Sequence, residues 1–208
     1  MTDRTEPEAA DEQEAAVPAC RPVRRRWWWR VLRFLVNSVR NACTVVVIVY
    51  IGVASRYDRS HMVSNSMGPT LAGEETEGDW VLVRRGAYDG AEPKRGDLVQ
   101  FRDFEGMVII KRVVGLPGET VQIRDGRVLI DGAPLLDPPV FRELVYENAG
   151  FLKKPERKMW IRPGWYLVLG DNTGDSHDSR FYGPIQAKQL VGRADFIYWP
   201  PERIGYAR

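Results

Sequence analysis

Two hydrophobic rhythms divide the chain. Residues 31–54 are apolar almost throughout, and as one helix they span about 36 Å at roughly 1.5 Å per residue, enough to cross a bilayer with some tilt. Arg30, Arg33, Asn37, Arg40 and Thr44 recur at spacings of three and four, so they draw a polar stripe down one helical face and leave only residues 42–54 cleanly apolar. After Gly68-Pro69 the rhythm changes. The runs "DWVLVRR", "DLVQF", "MVIIKRVVG", "TVQIRDGRVLIDG", "WYLVLG" and "ADFIYW" are rich in β-branched and aromatic residues, and Gly, Pro and Asp separate them at strand-like lengths. No long 3.6-period segment interrupts them, which predicts an antiparallel, mostly β domain over residues 58–208. Within residues 121–130 two alternating runs flank Asp125-Gly126, the pair that a two-residue type I′ hairpin favours because both turn positions need positive φ. Residues 137–163, with Pro138-Pro139, Pro155 and mixed charge, read as an insertion or extended loop region.

Composition narrows the possibilities. A chain of 208 residues, 44% hydrophobic and 28% charged, holds one globular domain with a real core and an extra segment at one end. The formal charge of +2, with no basic stripe and interleaved aromatics in the second half, argues against a nucleic-acid partner. The two cysteines, Cys20 and Cys43, both precede the β region, so no disulfide framework, Cys-His pair or cysteine-metal site is available there. Nothing in the sequence requires a metal or a cofactor.

Charge is segregated at the start of the chain. Residues 1–17 are rich in Glu, Asp and Ala, and residues 1–20 read as a solvated, disordered tail. "RPVRRRWWWRVLR" then supplies Arg21, Arg24, Arg25, Arg26, Arg30 and Arg33 around three consecutive tryptophans, the pattern of a cytoplasmic membrane border with an aromatic belt. A cleaved signal peptide and an interfacial amphipathic helix compete with a spanning anchor over residues 21–57. The anchor is favoured because no small-residue cleavage site follows the run and because arginines near the border can snorkel; one that failed to would cost about 2.5–3.5 kcal/mol. Arginine density before the run exceeds that of Arg56 and Arg59 after it, which places the N-terminus in the cytoplasm and the β domain outside.

Candidate chemistry begins with a misplaced cation. If "GMVIIKRVVG" is a strand, alternation puts Met107, Ile109, Lys111 and Val113 on one face and Val108, Ile110, Arg112 and Val114 on the other. Both faces are apolar apart from one cation each. Lys111, like Arg112, either pairs or snorkels at an edge, or it is held neutral: its reference pKa near 10.4 lies about three units above neutrality, a shift that burial can produce. A desolvated lysine serves as a general base near pH 7. In "VSNSMGPTL", residues 63–71, an extended segment would project Ser64 and Ser66 to one side. One hydroxyl could then attack a carbonyl while the other, with the backbone N–H of Ser66, holds the oxyanion. The same serine spacing is also ordinary linker chemistry.

"GDNTGDSHDSRFYG", residues 170–183, reads first as a polar turn after a strand. A calcium loop fails on spacing, since Ser176 replaces the glycine at the sixth position after Asp171 and no Glu stands at the twelfth. A Ser-His-Asp triad is no better served: His177 and Asp178 are adjacent, and His61 lies only five residues from Ser66.

Taken together these pieces resemble the type I signal peptidases, or leader peptidases, of the bacterial Ser-Lys dyad kind. "SNSMGPTL" resembles the nucleophile motif of that family, "RGDLVQF" a structural strand motif, "KRVVGLPGE" the general-base motif and "GDNTGDSHDSR" the last signature, in the right order after an N-terminal anchor and over most of the chain. The resemblance implies Ser66 as nucleophile and Lys111 as base, with Ser64 completing the oxyanion hole. It further implies Ser176 as the group that orients the lysine amine, and Asp171, Asp178 and Arg180 as supports behind the site. The implied fold is an antiparallel β domain on the membrane surface, shared with LexA-type self-cleaving repressors. Thr173 stands where the family often has Arg and Val63 where it often has Pro, while lysine at the base position separates the chain from the endoplasmic-reticulum branch.

The implied partners are exported preproteins carrying small residues, typically Ala-x-Ala, before the cut, together with the lipids of a plasma (inner) membrane. Met67 and Ile109 are the expected pocket walls. Ser66 follows the anchor closely, since ten extended residues reach no more than about 35 Å, and it would therefore work near the bilayer surface. Rival readings are a specialised processing peptidase of the same fold, a catalytically inactive membrane-anchored binding domain, and a self-cleaving repressor, the last lacking a helix-turn-helix stretch.

Overall fold

The computed structural model describes residues 24–207; the acidic tail, Cys20 and Arg21 lie outside the described residues. Two compact units divide near Val49 and Tyr50. The first is dominated by α1 (Arg24–Ala54), a helix of 31 residues. Its portion Trp27–Ala54 is long and apolar enough to cross a membrane, and Val46, Ile48 and Tyr50 on it are all more than half exposed. Thr44, one of the polar interruptions, turns its hydroxyl back onto the Arg40 carbonyl at 2.9 Å, which satisfies it within the helix.

The second unit is built from antiparallel strands, in chain order β1 (Tyr57–His61), β2 (Trp80–Arg85), β3 (Leu98–Arg102), β4 (Val108–Gly115), β5 (Thr120–Arg124), β6 (Arg127–Ile130), β7 (Ala133–Pro134), β8 (Lys158–Trp160), β9 (Trp165–Leu169), β10 (Ile185–Gln186), β11 (Leu190–Trp199) and β12 (Gly205–Tyr206). An eight-stranded sheet runs β1-β2-β11-β3-β4-β9-β10 with β12 added to β11, and a four-stranded sheet runs β7-β6-β5-β8. The one other α-helix among the described residues, α2 (Ser179–Tyr182), is a single turn capped by Asp178. All six predicted runs are strands. The predicted hairpin joins β5 to β6, with Asp125 at φ 51° and Gly126 at φ 73°, the two positive values that a type I′ turn needs.

The core falls into three clusters. Met62, Met67, Leu71, Val83 and Ile110 form one; Val99, Phe101, Val113, Tyr166 and Val168 form a second. A third joins the sheets through Val114, Ile123, Tyr146, Leu152, Ile161 and Leu167. Strand β4 supplies residues to all three because it is central and covered on both faces, which explains its nearly unbroken apolar run. Residues 137–163 are folded into this arrangement: they form two 3₁₀ turns, Pro139–Arg142 and Gly150–Leu152, and β8, and they bury Phe141, Tyr146, Leu152 and Ile161. Two of the matched motifs also brace each other, since Arg95 of "RGDLVQF" pairs with Glu119 of "KRVVGLPGE" and donates to the Val114 carbonyl at 2.5 Å.

Candidate active site

Ser64 and Ser66 do not lie on an extended segment. Ser64 itself is extended (φ −119°, ψ 142°), but Asn65–Met67 turn as a 3₁₀ helix, which requires only three residues and swings the second serine beside the first. The two hydroxyl oxygens are 3.2 Å apart. On the far side of Ser66, the Lys111 Nζ lies 2.5 Å from its Oγ and is hydrogen-bonded to it. Lys111 reaches this point from β4, paired opposite Val99 of β3, and only 3% of it is exposed. Among the described residues no carboxylate forms an ion pair with it. Burial therefore dominates, and it lowers the amine to about 8 although the nearby Asp178 and Asp171 pull the other way and Arg180 assists. An amine in that range is neutral often enough at neutral pH to accept a proton from the hydroxyl it touches.

The neighbouring cation on β4 behaves differently. Arg112, 1% exposed, grips Asp171 at two points, Nε to Oδ1 at 2.8 Å and Nη2 to Oδ2 at 2.5 Å, and donates to the Gly96 carbonyl at 2.9 Å. Thr70, four residues after Ser66, donates its hydroxyl to the same carboxylate at 2.6 Å. A second buried pair joins Asp178 to Arg180 at 2.9 Å. Asp178 also accepts from the Gly170 N–H at 3.0 Å, while Arg180 donates to the carbonyls of Glu147 at 3.1 Å, Thr173 at 2.7 Å and Ser176 at 3.3 Å. These fork-like bonds fix the loop 170–180 from behind.

Glycine at position 170 lets the loop close on the serine turn. A Cβ there would stand 2.1 Å from Ser176 Oγ and 2.5 Å from the Ser66 backbone oxygen, closer than real atoms approach. Asn172 ties the same two segments together, its backbone N–H donating to the Ser66 carbonyl at 3.2 Å and its side chain to the Asn65 carbonyl at 3.1 Å. Ser176 is brought to the site with its Oγ buried and, among the described residues, without a hydrogen-bond partner.

Ser64, Ser66, Lys111 and Ser176 open into one cleft of about 670 Å³, whose walls include Val63, Phe104, Met107, Ile109 and Tyr182. Ile109 thus lies where a substrate wall was expected. Met67 does not: it is fully buried in the cluster with Leu71 and Ile110 and does not line the cleft. Neither histidine competes for the serine. His61 stacks on Trp80 at 4.7 Å and His177 on Phe181 at 4.9 Å, so both rings serve packing, and the Ser66 side chain keeps Ser64 and Lys111 as its partners. No group of three or more metal-ligating side chains occurs among the described residues.

Sequence reasoning read Arg112 only as a cation that pairs or snorkels, and it overlooked Thr70, Gly170 and Asn172. The signal for these three was their place inside the motifs "SNSMGPTL" and "GDNTGDSHDSR", whose serines and acids drew the attention. What the sequence could not give was the fold that sets them against the serine turn.

A serine hydroxyl against a buried amine, in a cleft of an antiparallel β domain, is the arrangement of a serine hydrolase. The family model described as signal peptidase, peptidase S26, matches residues 35–199. Signal peptidase I of Leptolyngbya laminosa is 33% identical over 173 residues, covering 76% of this chain and 77% of that one. Signal peptidase I of Bacillus caldolyticus is 30% identical over 188 residues, covering 88% and 94%, and the chloroplastic thylakoidal processing peptidase 1 of Arabidopsis thaliana is 27% identical over 190 residues, covering 86% and 52%. The chain belongs to the signal peptidase family, peptidase S26. Its activity is that of signal peptidase I: it removes signal peptides from preproteins.

Proposed function

We propose that Ser66 and Lys111 carry this reaction as nucleophile and general base. The observation that supports the pairing is the 2.5 Å contact between Ser66 Oγ and an amine that burial has lowered to about 8. Ser66 Oγ attacks the scissile carbonyl carbon as its proton passes to Lys111 Nζ. The Ser64 hydroxyl and the Ser66 N–H hold the resulting oxyanion. Collapse breaks the C–N bond, and the departing amine takes the proton from Lys111. Water then attacks the acyl-enzyme carbonyl as its proton passes to Lys111, and collapse breaks the C–Oγ bond, Ser66 Oγ taking that proton back as the signal peptide leaves.

In this reading Ser176, whose buried Oγ has no hydrogen-bond partner among the described residues, becomes the acceptor that holds the amine once Lys111 has taken the proton. Asp171 and Asp178 hold their arginines against the loop, and Ile109 walls a pocket for small residues before the cut. Helix α1 anchors the protein in lipid, with its arginine-rich end in the cytoplasm and the catalytic domain on the opposite side of a plasma (inner) membrane; fractionation separates that location from a thylakoid. Alkaline extraction that released the protein would overturn the anchor. The main test is cleavage of an Ala-x-Ala preprotein by detergent-purified full-length protein, read by intact mass. A cut directly after the second Ala that is lost in Ser66→Ala is expected; a cut that persists in the variant would overturn the assignment of the nucleophile.

A further inference from the structure

A second groove, of about 340 Å³, shares Tyr182 of α2 with the cleft and is lined by Phe151, Met159, Trp160, Arg162, Tyr182 and Pro184 among others. Tyr182 lines both hollows, so they meet across one helical turn and the Gly183-Pro184 that follows it. Trp160 is 58% exposed and Phe151 is 55% exposed, and each sits on an ordered element, β8 and the 3₁₀ turn Gly150–Leu152. Exposed aromatic side chains on rigid elements are the usual anchors of a binding surface, because they bury much area at little entropic cost. The chain segment that supplies much of this lining, residues 151–162, is predominantly basic: Lys153, Lys154, Arg157, Lys158 and Arg162 are exposed on it against Glu156, and Arg162 lines the groove itself.

We infer that this groove docks the exported portion of the preprotein, on the downstream side of the cut, and that it favours a stretch carrying apolar and acidic residues. The inference rests on the proposed use of the neighbouring cleft as the site of cleavage. Continuity through Tyr182 makes a polypeptide already lying in the cleft the natural occupant. The apolar part of a signal peptide belongs in hydrocarbon and has no use for five cations, whereas an acidic downstream segment gains from them both steering and register. Aromatic contacts would then supply affinity while the cationic rim supplies selectivity.

The experiment compares full-length protein with its Trp160→Glu and Arg162→Glu variants on two substrates in detergent. One is a preprotein whose exported segment carries acidic and aromatic residues; the other is a peptide with the same cut site that ends two residues beyond it. Trp160→Glu is expected to lower kcat/KM on the preprotein about tenfold, mainly through KM, and to leave the short peptide within about twofold. Arg162→Glu should do the same to a smaller extent, and the effect should shrink when the exported acids are replaced by Ser or when salt is raised. Equal losses on both substrates, or no loss on either, would overturn the groove assignment. So would a loss seen only in anionic vesicles and not in detergent, which would make the groove a lipid contact. Wild-type protein that cleaved neither substrate would instead count against the proposed catalytic reading.

Discussion

The two faces of strand β4 carry adjacent buried cations with opposite fates. Arg112 is 1% exposed and fully partnered: Asp171 meets its fork at two points, with Thr70 and Gly96 completing the shell. Lys111, at 3% exposure, has among the described residues only the Ser66 hydroxyl as a side-chain hydrogen-bond partner, and its charged form is penalised. Burial is nearly the same for both. The partner decides: a guanidinium cannot lose its proton, so it has to be paired, whereas an amine left unpaired becomes a base. One strand thereby holds a structural charge and a reactive group a residue apart.

Removing each cation in turn tests that contrast most severely. Lys111→Met should abolish preprotein cleavage while leaving urea unfolding as favourable as before, because an unpaired buried amine gives way to an apolar side chain of similar length. Arg112→Met should instead strand the Asp171 carboxylate and cost about 3–5 kcal/mol in the same unfolding measurement. A folded, active Lys111→Met protein, or an Arg112→Met protein of unchanged stability, would break the comparison.

The contrast was only half legible in the sequence. Alternation in "MVIIKRVVG" put the two cations on opposite faces, and the apolar neighbours on both sides signalled a covered strand. Which cation would be paired was not legible, because Asp171 is 59 residues away in sequence and reaches Arg112 only through the pairing of β4 with β9. The strands and the Asp125-Gly126 hairpin were legible because local chemistry determines them. Residues 137–163 were not: their buried Phe141, Tyr146, Leu152 and Ile161 follow no period, being carried by 3₁₀ turns and loops that pack on a sheet specified elsewhere. Met67 was misjudged as a pocket wall for a related reason, since a three-residue turn points it inward while turning Ser66 outward.

On the Lys111 face, Ser64→Ala sharpens the picture by removing the other group in contact with Ser66. The loss of one oxyanion donor should cost about 2–3 kcal/mol in the barrier, on the order of a hundredfold in kcat, with KM little changed. An unchanged rate would take Ser64 out of the hole.

Titration probes the same amine without mutation. With Lys111 lowered to about 8, its neutral, proton-accepting form dominates above that pH and declines below it. The value of kcat/KM should therefore fall about tenfold per unit on the acid side of pH 8 and flatten above it. A profile flat from pH 6 to 9 would show that Lys111 is not the base.

The smallest effect concerns Thr173. Thr173 donates its hydroxyl to the Val145 carbonyl at 2.6 Å, alongside the Arg180 bonds to the carbonyls of Glu147 and Thr173, so residues 145–147 hold the loop that carries Ser176. Gly150 closes the same seam, since a Cβ there would stand 2.0 Å from the Arg180 carbonyl oxygen. Thr173→Val deletes one of these bonds while keeping the side-chain shape, a change of about 1 kcal/mol. If the seam positions the site, kcat should drop about fivefold at constant KM, and the acid limb should move upward in pH as the loosened loop admits solvent to Lys111. Thr173→Ser, which restores the hydroxyl, should recover both. A drop in melting temperature without those kinetic changes would reduce Thr173 to a surface tether and leave the Arg180 bonds to hold the loop.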